Sequence, residues 1–187
     1  MKPDNSTYTG IPSAKILLWL AMVSMVMLFA GLTSGYIVRQ AEGNWFVFEL
    51  PNTFAISTVF ILLSSVTMQW AYVSIKKGSA GNLLTGLIAT LVLGLAFSFT
   101  QFLAWSDLVK QGVFFTGNPS GSFLYVLTGL HLAHLAGGLL YLIYVIIRTL
   151  QNKFTAESHL AVHLATIFWH FLDFLWVYLF IFLYLIR

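Results

Sequence analysis

A chain of 187 residues with 59% hydrophobic, 17% aromatic and 8% charged side chains has too few polar groups to cover a water-soluble globule of its size. Its composition is that of an integral membrane protein. The formal charge of +3 comes from nine basic and six acidic residues scattered between apolar runs, with no basic block that would point to nucleic acid. The absence of cysteine excludes disulfides, iron–sulfur clusters, thiolate nucleophiles and dinuclear copper sites of the cysteine type, so any metal would need His, Met or carboxylate ligands.

Residues 1–15 include Pro3, Asn5, Ser6, Thr7, Gly10 and Pro12, a polar leader expected to be mobile or to lie on a partner. The apolar run over 16–38 exceeds the roughly 7–15 residues of a signal-peptide core, and no A-x-A-like site follows it, so it reads as a retained spanning helix. A hydrocarbon core of roughly 30 Å takes about 20 apolar residues. By that measure further spans fall at 54–75, 83–106, 122–147 and 160–186. Lipid offers the backbone no water and these runs lack strand alternation, so all five are helices. The predicted fold class is all-α: a polytopic transmembrane five-helix bundle, one membrane domain over 16–187.

With the N-terminus cytoplasmic, the inner segments hold Lys2, Lys15, Lys76, Lys77, Arg148 and Lys153, against Arg39, Lys110 and Arg187 outside. The positive-inside rule then places the C-terminus in the periplasm. The first helix carries Gly31 and Gly35, the third Gly86, Thr90, Gly94 and Ser98, and the fourth Gly129, Ala133 and Gly137. Small residues four apart let backbones approach where lipid supplies no hydrophobic drive, so three packing stripes are predicted. The link 107–121 ends in Asn118-Pro119-Ser120-Gly121, turn chemistry before a helix start, and reads as an ordered external loop. Trp45, Trp70 and Trp105 fall near span ends and are given a headgroup role only.

Polar groups inside the spans carry the functional question. His131 and His134 lie three apart on the fourth helix, and His170 and Asp173 repeat the spacing on the fifth. All four fall near the middles of their spans, at similar depth if the two helices pack antiparallel. An acid at mid-span costs about 2.5–3.5 kcal/mol and faces protein or water. Three readings compete: a structural network locking the last two helices, a site working with protons or lipid headgroups, and a metal or haem site using His and carboxylate ligands. The i,i+3 pair on one helix does not suit bis-histidine haem. His159 and His163 lie at the inner end of the fifth helix, facing solvent or headgroups. Ser64, Ser65 and Thr67 are expected to bond their own preceding carbonyls or a neighbouring helix. No Ser-His-Asp arrangement, Gly-rich phosphate loop or H-E-x-x-H motif occurs, and no catalytic residue is assigned.

Thr128-Gly129-Leu130-His131-Leu132-Ala133-His134 resembles the TGxHxxH of subunit III of the haem-copper oxidases, and Trp169-His170-Phe171-Leu172-Asp173-Phe174-Leu175-Trp176 resembles its WHFxDxxW. Leu62-Leu63-Ser64-Ser65-Val66-Thr67 is similar to a recurrent LLxSSxT stretch, and Ser24 to Gly31 to a further one. The matches touch four of five helices in family order. Many members have seven helices, and this chain matches the last five. Where the family commonly has a buried Glu, alignment through Ser24 and Phe29 puts Met25, so a role built on that carboxylate is not carried over.

The resemblance implies an accessory subunit of cytochrome c oxidase without haem or copper of its own, those cofactors residing in partner subunits I and II. It would pack on subunit I in a bacterial cytoplasmic membrane and support proton uptake or oxygen access during aerobic respiration. Contacts with subunit II, small subunits or a respiratory supercomplex, and bound phospholipid, are further expectations. The alternatives are an accessory subunit of a quinol oxidase or nitric oxide reductase, and a free-standing membrane metalloprotein built on His131, His134, His170 and Asp173.

Overall fold

The computed structural model describes residues 13–151 and 159–186. It contains α1 (Ser13–Ala41), α2 (Asn52–Lys76), α3 (Ala80–Lys110), α4 (Pro119–Leu150) and α5 (Leu160–Leu185), each long and apolar enough to cross a membrane. The all-α five-helix bundle expected from the sequence is therefore present. Residues 1–12 of the leader lie outside the described residues, while 13–15 already belong to α1.

The first four helices run one to four residues beyond the predicted spans at each end. Counting apolar residues measures only the hydrocarbon core. At 1.5 Å per residue the 29 residues of α1 are roughly 43 Å long, which matches the roughly 40–45 Å of a bilayer with its headgroup layers. A helix of that length leaves its polar terminal turns for those layers. The link read as 107–121 shortens accordingly, to residues 111–118.

α2 and α3 form the tightest pair. Only residues 77–79 join them, with Gly78 at φ +70° and Ser79 N–H donating back to Ser74 O at 3.0 Å. A Cβ placed on Gly86 would stand 2.8 Å from Ala71 Cβ and 3.0 Å from its Cα, so glycine there brings the two backbones together. On the same stripe Thr90 bonds Thr67 at 2.8 Å, and Gly94 leaves space taken by Trp169 and Leu139. The α3 stripe is a packing surface, as expected.

The other two stripes are only partly packed among the described residues. Nothing lies within 4 Å of a Cβ on Gly31 or Gly137 and Ala133 is exposed, while Gly35 meets the Phe123 ring at 3.5 Å and Gly129 only reaches Trp105 at 4.0 Å. The close approach on α4 falls one residue over, at Gly138, against Leu172 and Phe168. Residue size alone does not say which side of a helix meets a neighbour when lipid is as apolar as the core.

α4 and α5 each pack on three helices: α5, with eleven buried residues, on α1, α2 and α4, and α4, with thirteen, on α1, α3 and α5; α1 has four and touches α4 and α5 only. At the C-terminal end of α5, Tyr36 is fully buried among Trp45, Phe123 and Phe182. Asn118 ties the two loops of this end together. Its side chain caps α4 by accepting from Ser120 N–H at 3.0 Å, accepts from Phe46 N–H at 3.3 Å, and donates to Asn44 O at 3.2 Å.

Candidate functional site at the seam of the second and fifth helices

The inner faces of the bundle follow one rule of local chemistry. A Ser or Thr hydroxyl in a spanning helix has one proton, and its nearest acceptor is the carbonyl three or four residues back. Ser57 and Thr58 both donate to Phe54 O, Ser64 to Ile61 O and Thr128 to Leu124 O, at 2.6–2.8 Å. Each oxygen then has lone pairs turned towards a neighbouring helix, and the partners are N–H donors. Gln101 Nε2 donates to Ser57 at 2.8 Å, Trp176 Nε1 to Thr58 at 3.0 Å, Trp169 Nε1 to Ser64 at 2.9 Å and Trp105 Nε1 to Thr128 at 3.1 Å. Trp105 thus does more than sit at the headgroups, because its indole pins α3 to α4.

Ser65 has no bond to its own backbone among the described residues, and it is the one that meets the histidine. Its hydroxyl lies 2.7 Å from His170 Nδ1, while His170 Nε2 lies 3.2 Å from Gln69 Oε1. An amide oxygen has no proton to give, so Nε2 is the donor. In the neutral ring Nδ1 is then the acceptor, and Ser65 donates to it. His170 bridges two residues of α2 that lie one turn apart. Towards the N-terminal end of α5 the His163 ring stacks on Tyr72 at 5.2 Å, with Lys76 Nζ over the Tyr72 ring at 4.3 Å. The pairings Thr58–Trp176, Ser64–Trp169, Ser65–His170 and Tyr72–His163 run in opposite directions along the two chains, so α2 and α5 are antiparallel.

The four residues picked out by sequence do not form one cluster. Asp173 Oδ2 is 3.9 Å from His170 Nδ1, outside hydrogen-bond distance; both carboxyl oxygens are buried and make no hydrogen bond of good geometry among the described residues, although the Ser65 hydroxyl that meets His170 is also a neighbour of this carboxyl. His131 is fully buried against Trp176, its ring 5.0 Å from that indole and 5.8 Å from Phe97, with neither nitrogen bonded among the described residues. His134 turns towards α1, its ring 5.9 Å from Phe29 and its Nδ1 2.7 Å from Leu130 O. Helix azimuth, which decides which of these side chains meet, was not legible in the sequence. Among the described residues no three His, Asp, Glu or Cys side chains come together as a set that could hold a metal ion.

Sequence reasoning passed over Gln69 and Gln101. Gln101 is completely buried and joins α3 to α2; Gln69 is exposed and completes the bridge to His170. The signal that singled out Asp173, a polar side chain inside a span, applies to both.

Fold and seam define a polytopic membrane bundle whose intramembrane polar side chains mostly tie helix to helix. Residues 46–186 match the family model of cytochrome c oxidase subunit III. The chain is 34% identical over 180 residues to a probable cytochrome c oxidase subunit 3 of Nocardia farcinica, covering 94% of this chain and 88% of that protein. It is 30% identical over 170 residues to the cytochrome c oxidase subunit 3 of Corynebacterium diphtheriae, covering 87% and 82%. The match to the subunit of the same name from Gadus morhua is 34% over 140 residues, covering 73% of this chain and 50% of that protein. The chain belongs to the cytochrome c oxidase subunit III family.

Proposed function

We infer that this chain is an accessory subunit of a haem-copper terminal oxidase, a multi-pass membrane protein that stabilises its redox-active neighbours and has no redox centre of its own. Family membership gives the oxidase. The observation that carries the accessory role is the seam. Trp169, Trp176, Gln101 and Trp105 donate to back-bonded hydroxyls, His170 bridges Ser65 and Gln69, and none of these bonds leaves a set of ligands facing a common point. The chain would sit in the bacterial cytoplasmic membrane with its N-terminus cytoplasmic, packed on subunit I beside subunit II, with haem and copper in those partners. The 2:1 bias of basic residues supports the orientation.

Phospholipid tails suit the grooves beside α1. One is lined by Val26, Phe29, Ala30, Phe171, Leu175 and Tyr178. Another is lined by Leu17, Leu18, Met25, Tyr141, Leu164 and Phe168. Met25, at the position matched to the family's common Glu, lines an apolar groove here, so support of proton uptake would not run through a carboxyl at that place.

Mild-detergent purification through a tag on this chain tests the reading. A haem-bearing subunit should come with it, and the chain separated from that subunit should show neither Soret absorbance nor stoichiometric metal. Recovery of the chain alone from native membranes, or a cofactor bound by His131, His134, His170 or Asp173, would overturn it.

A further inference from the structure

Gln69 is an exposed amide within a spanning helix. The midpoint of α2 (Asn52–Lys76) falls at Ser64, which puts Gln69 about 7.5 Å from mid-helix, inside the roughly 15 Å half-thickness of the hydrocarbon core. Its oxygen is held by His170, itself about one-third exposed at the side chain (35%). Its amide nitrogen, with two protons, has no partner among the described residues, and lipid tails offer no acceptor. The residue also belongs to a regular row. Ala55, Val59, Leu62, Val66, Gln69 and Val73 are all exposed and are spaced 4-3-4-3-4, the repeat of a left-handed helix–helix seam with one polar position. Neither α1 nor α4 touches α2, so this row faces away from both.

Resting on the accessory-subunit reading above, we propose that the row Ala55–Val59–Leu62–Val66–Gln69–Val73 is the docking face of this chain for a transmembrane helix of another oxidase subunit. That helix presents a hydrogen-bond acceptor to the Gln69 amide. Small and β-branched residues along the row allow close approach of the second helix, and the single amide fixes its depth. His170 holds the amide oxygen, so the two protons point outward before the partner arrives. A phospholipid does not meet the need, because its acceptors lie in the headgroup layer. A second copy of this chain would bring amide against amide and is distinguished by the test.

The chain has no cysteine, so single cysteines report cleanly. Gln69→Cys and Val66→Cys lie on the row; Leu140→Cys lies at similar depth on α4 and is exposed. In the intact oxidase in native membranes, a short bifunctional thiol-to-alkyl photo-crosslinker on Gln69→Cys or Val66→Cys should join this chain to another oxidase subunit. A lipid-soluble maleimide should label both positions several-fold more slowly than Leu140→Cys. Gln69→Leu should lower the amount of intact oxidase surviving detergent washing, with the folded chain still present in the membrane. Labelling of both row positions as fast as Leu140→Cys, or crosslinks only to lipid or to a second copy of this chain, would overturn the docking face while leaving the accessory role intact. Failure of the unmodified chain to co-purify with any haem-bearing subunit would overturn both.

Discussion

At the scale of single residues, the seam separates two groups that share one motif. His170 makes two side-chain bonds across to α2, while Asp173, three residues on, makes none among the described residues. Side-chain hydrogen bonds between spanning helices average about 0.6 kcal/mol and reach about 1.7. His170→Ala should therefore cost about 1–3 kcal/mol in denaturant-titrated unfolding of the chain in micelles. Asp173→Asn keeps the shape and, with no hydrogen bond to lose among the described residues, should cost less than about 1 kcal/mol. Equal losses would mean that Asp173 has a partner the seam geometry does not reveal. The sequence flagged both residues correctly as intramembrane polar groups, because that signal needs only hydropathy. It could not say which one bonds, since a 3.9 Å and a 2.7 Å separation look alike at the level of spacing.

At the scale of elements, glycine is informative only where a second backbone arrives. Gly86 faces Ala71 backbone and Cβ at 2.8–3.1 Å, so Gly86→Ala must push α2 from α3 and should cost about 1–3 kcal/mol. Gly94→Ala meets the Trp169 ring at 2.9 Å and Leu139 at 3.0 Å; that ring is buried and held by its bond to Ser64, so the cost should fall within the same range. Gly137→Ala meets nothing and should raise the stability of the chain by up to about 1 kcal/mol through helix propensity. Thermal unfolding of the three variants in one detergent gives the order. A loss at Gly137 equal to that at Gly86 would restore the α4 stripe as an internal contact. The periodicity that marks a buried face in a soluble helix is missing here: Met27 (71% exposed), Leu140 (70%) and Phe174 (75%) are as apolar as the core. That is why span positions were legible and packing faces were not. Capping chemistry was legible, since Asn118 before Pro119 needs no tertiary knowledge. Its extra bonds to Asn44 and Phe46 do, and they make a separate prediction. Asn118→Ala should cost about 1–2 kcal/mol as a lost cap. It should also speed proteolysis between Glu42 and Pro51, a cut that would not change if only the α4 terminus were affected.

At the scale of the whole molecule, the bundle is unevenly held. α2–α5 share buried side chains, glycine contacts and the hydrogen-bond seam, and the family match covers 46–186, which begins after α1. α1 is held by a short buried row, Met22, Phe29, Thr33 and Tyr36, and by two hydrogen bonds: Thr33 with Tyr178 of α5 at 3.0 Å, and Gln40 donating at 3.0 Å to the carbonyl of Ile186, which caps α5. Apolar grooves flank it on both sides, so fewer contacts oppose its departure. Local opening free energies follow contact density, and α1 should separate before the rest loses structure. The absence of cysteine allows spin-label pairs at chosen sites. A Val26/Phe174 pair, both residues lining the α1–α5 groove, should lengthen in distance measurements at a lower denaturant concentration than a Val66/Val92 pair across α2 and α3. Thr33→Val should move the first transition lower and leave the second where it is, because the bond it removes joins α1 to α5 alone. Coincident transitions for the two pairs would show that the four buried side chains of α1 couple it to the bundle as firmly as Gly86 couples α2 to α3.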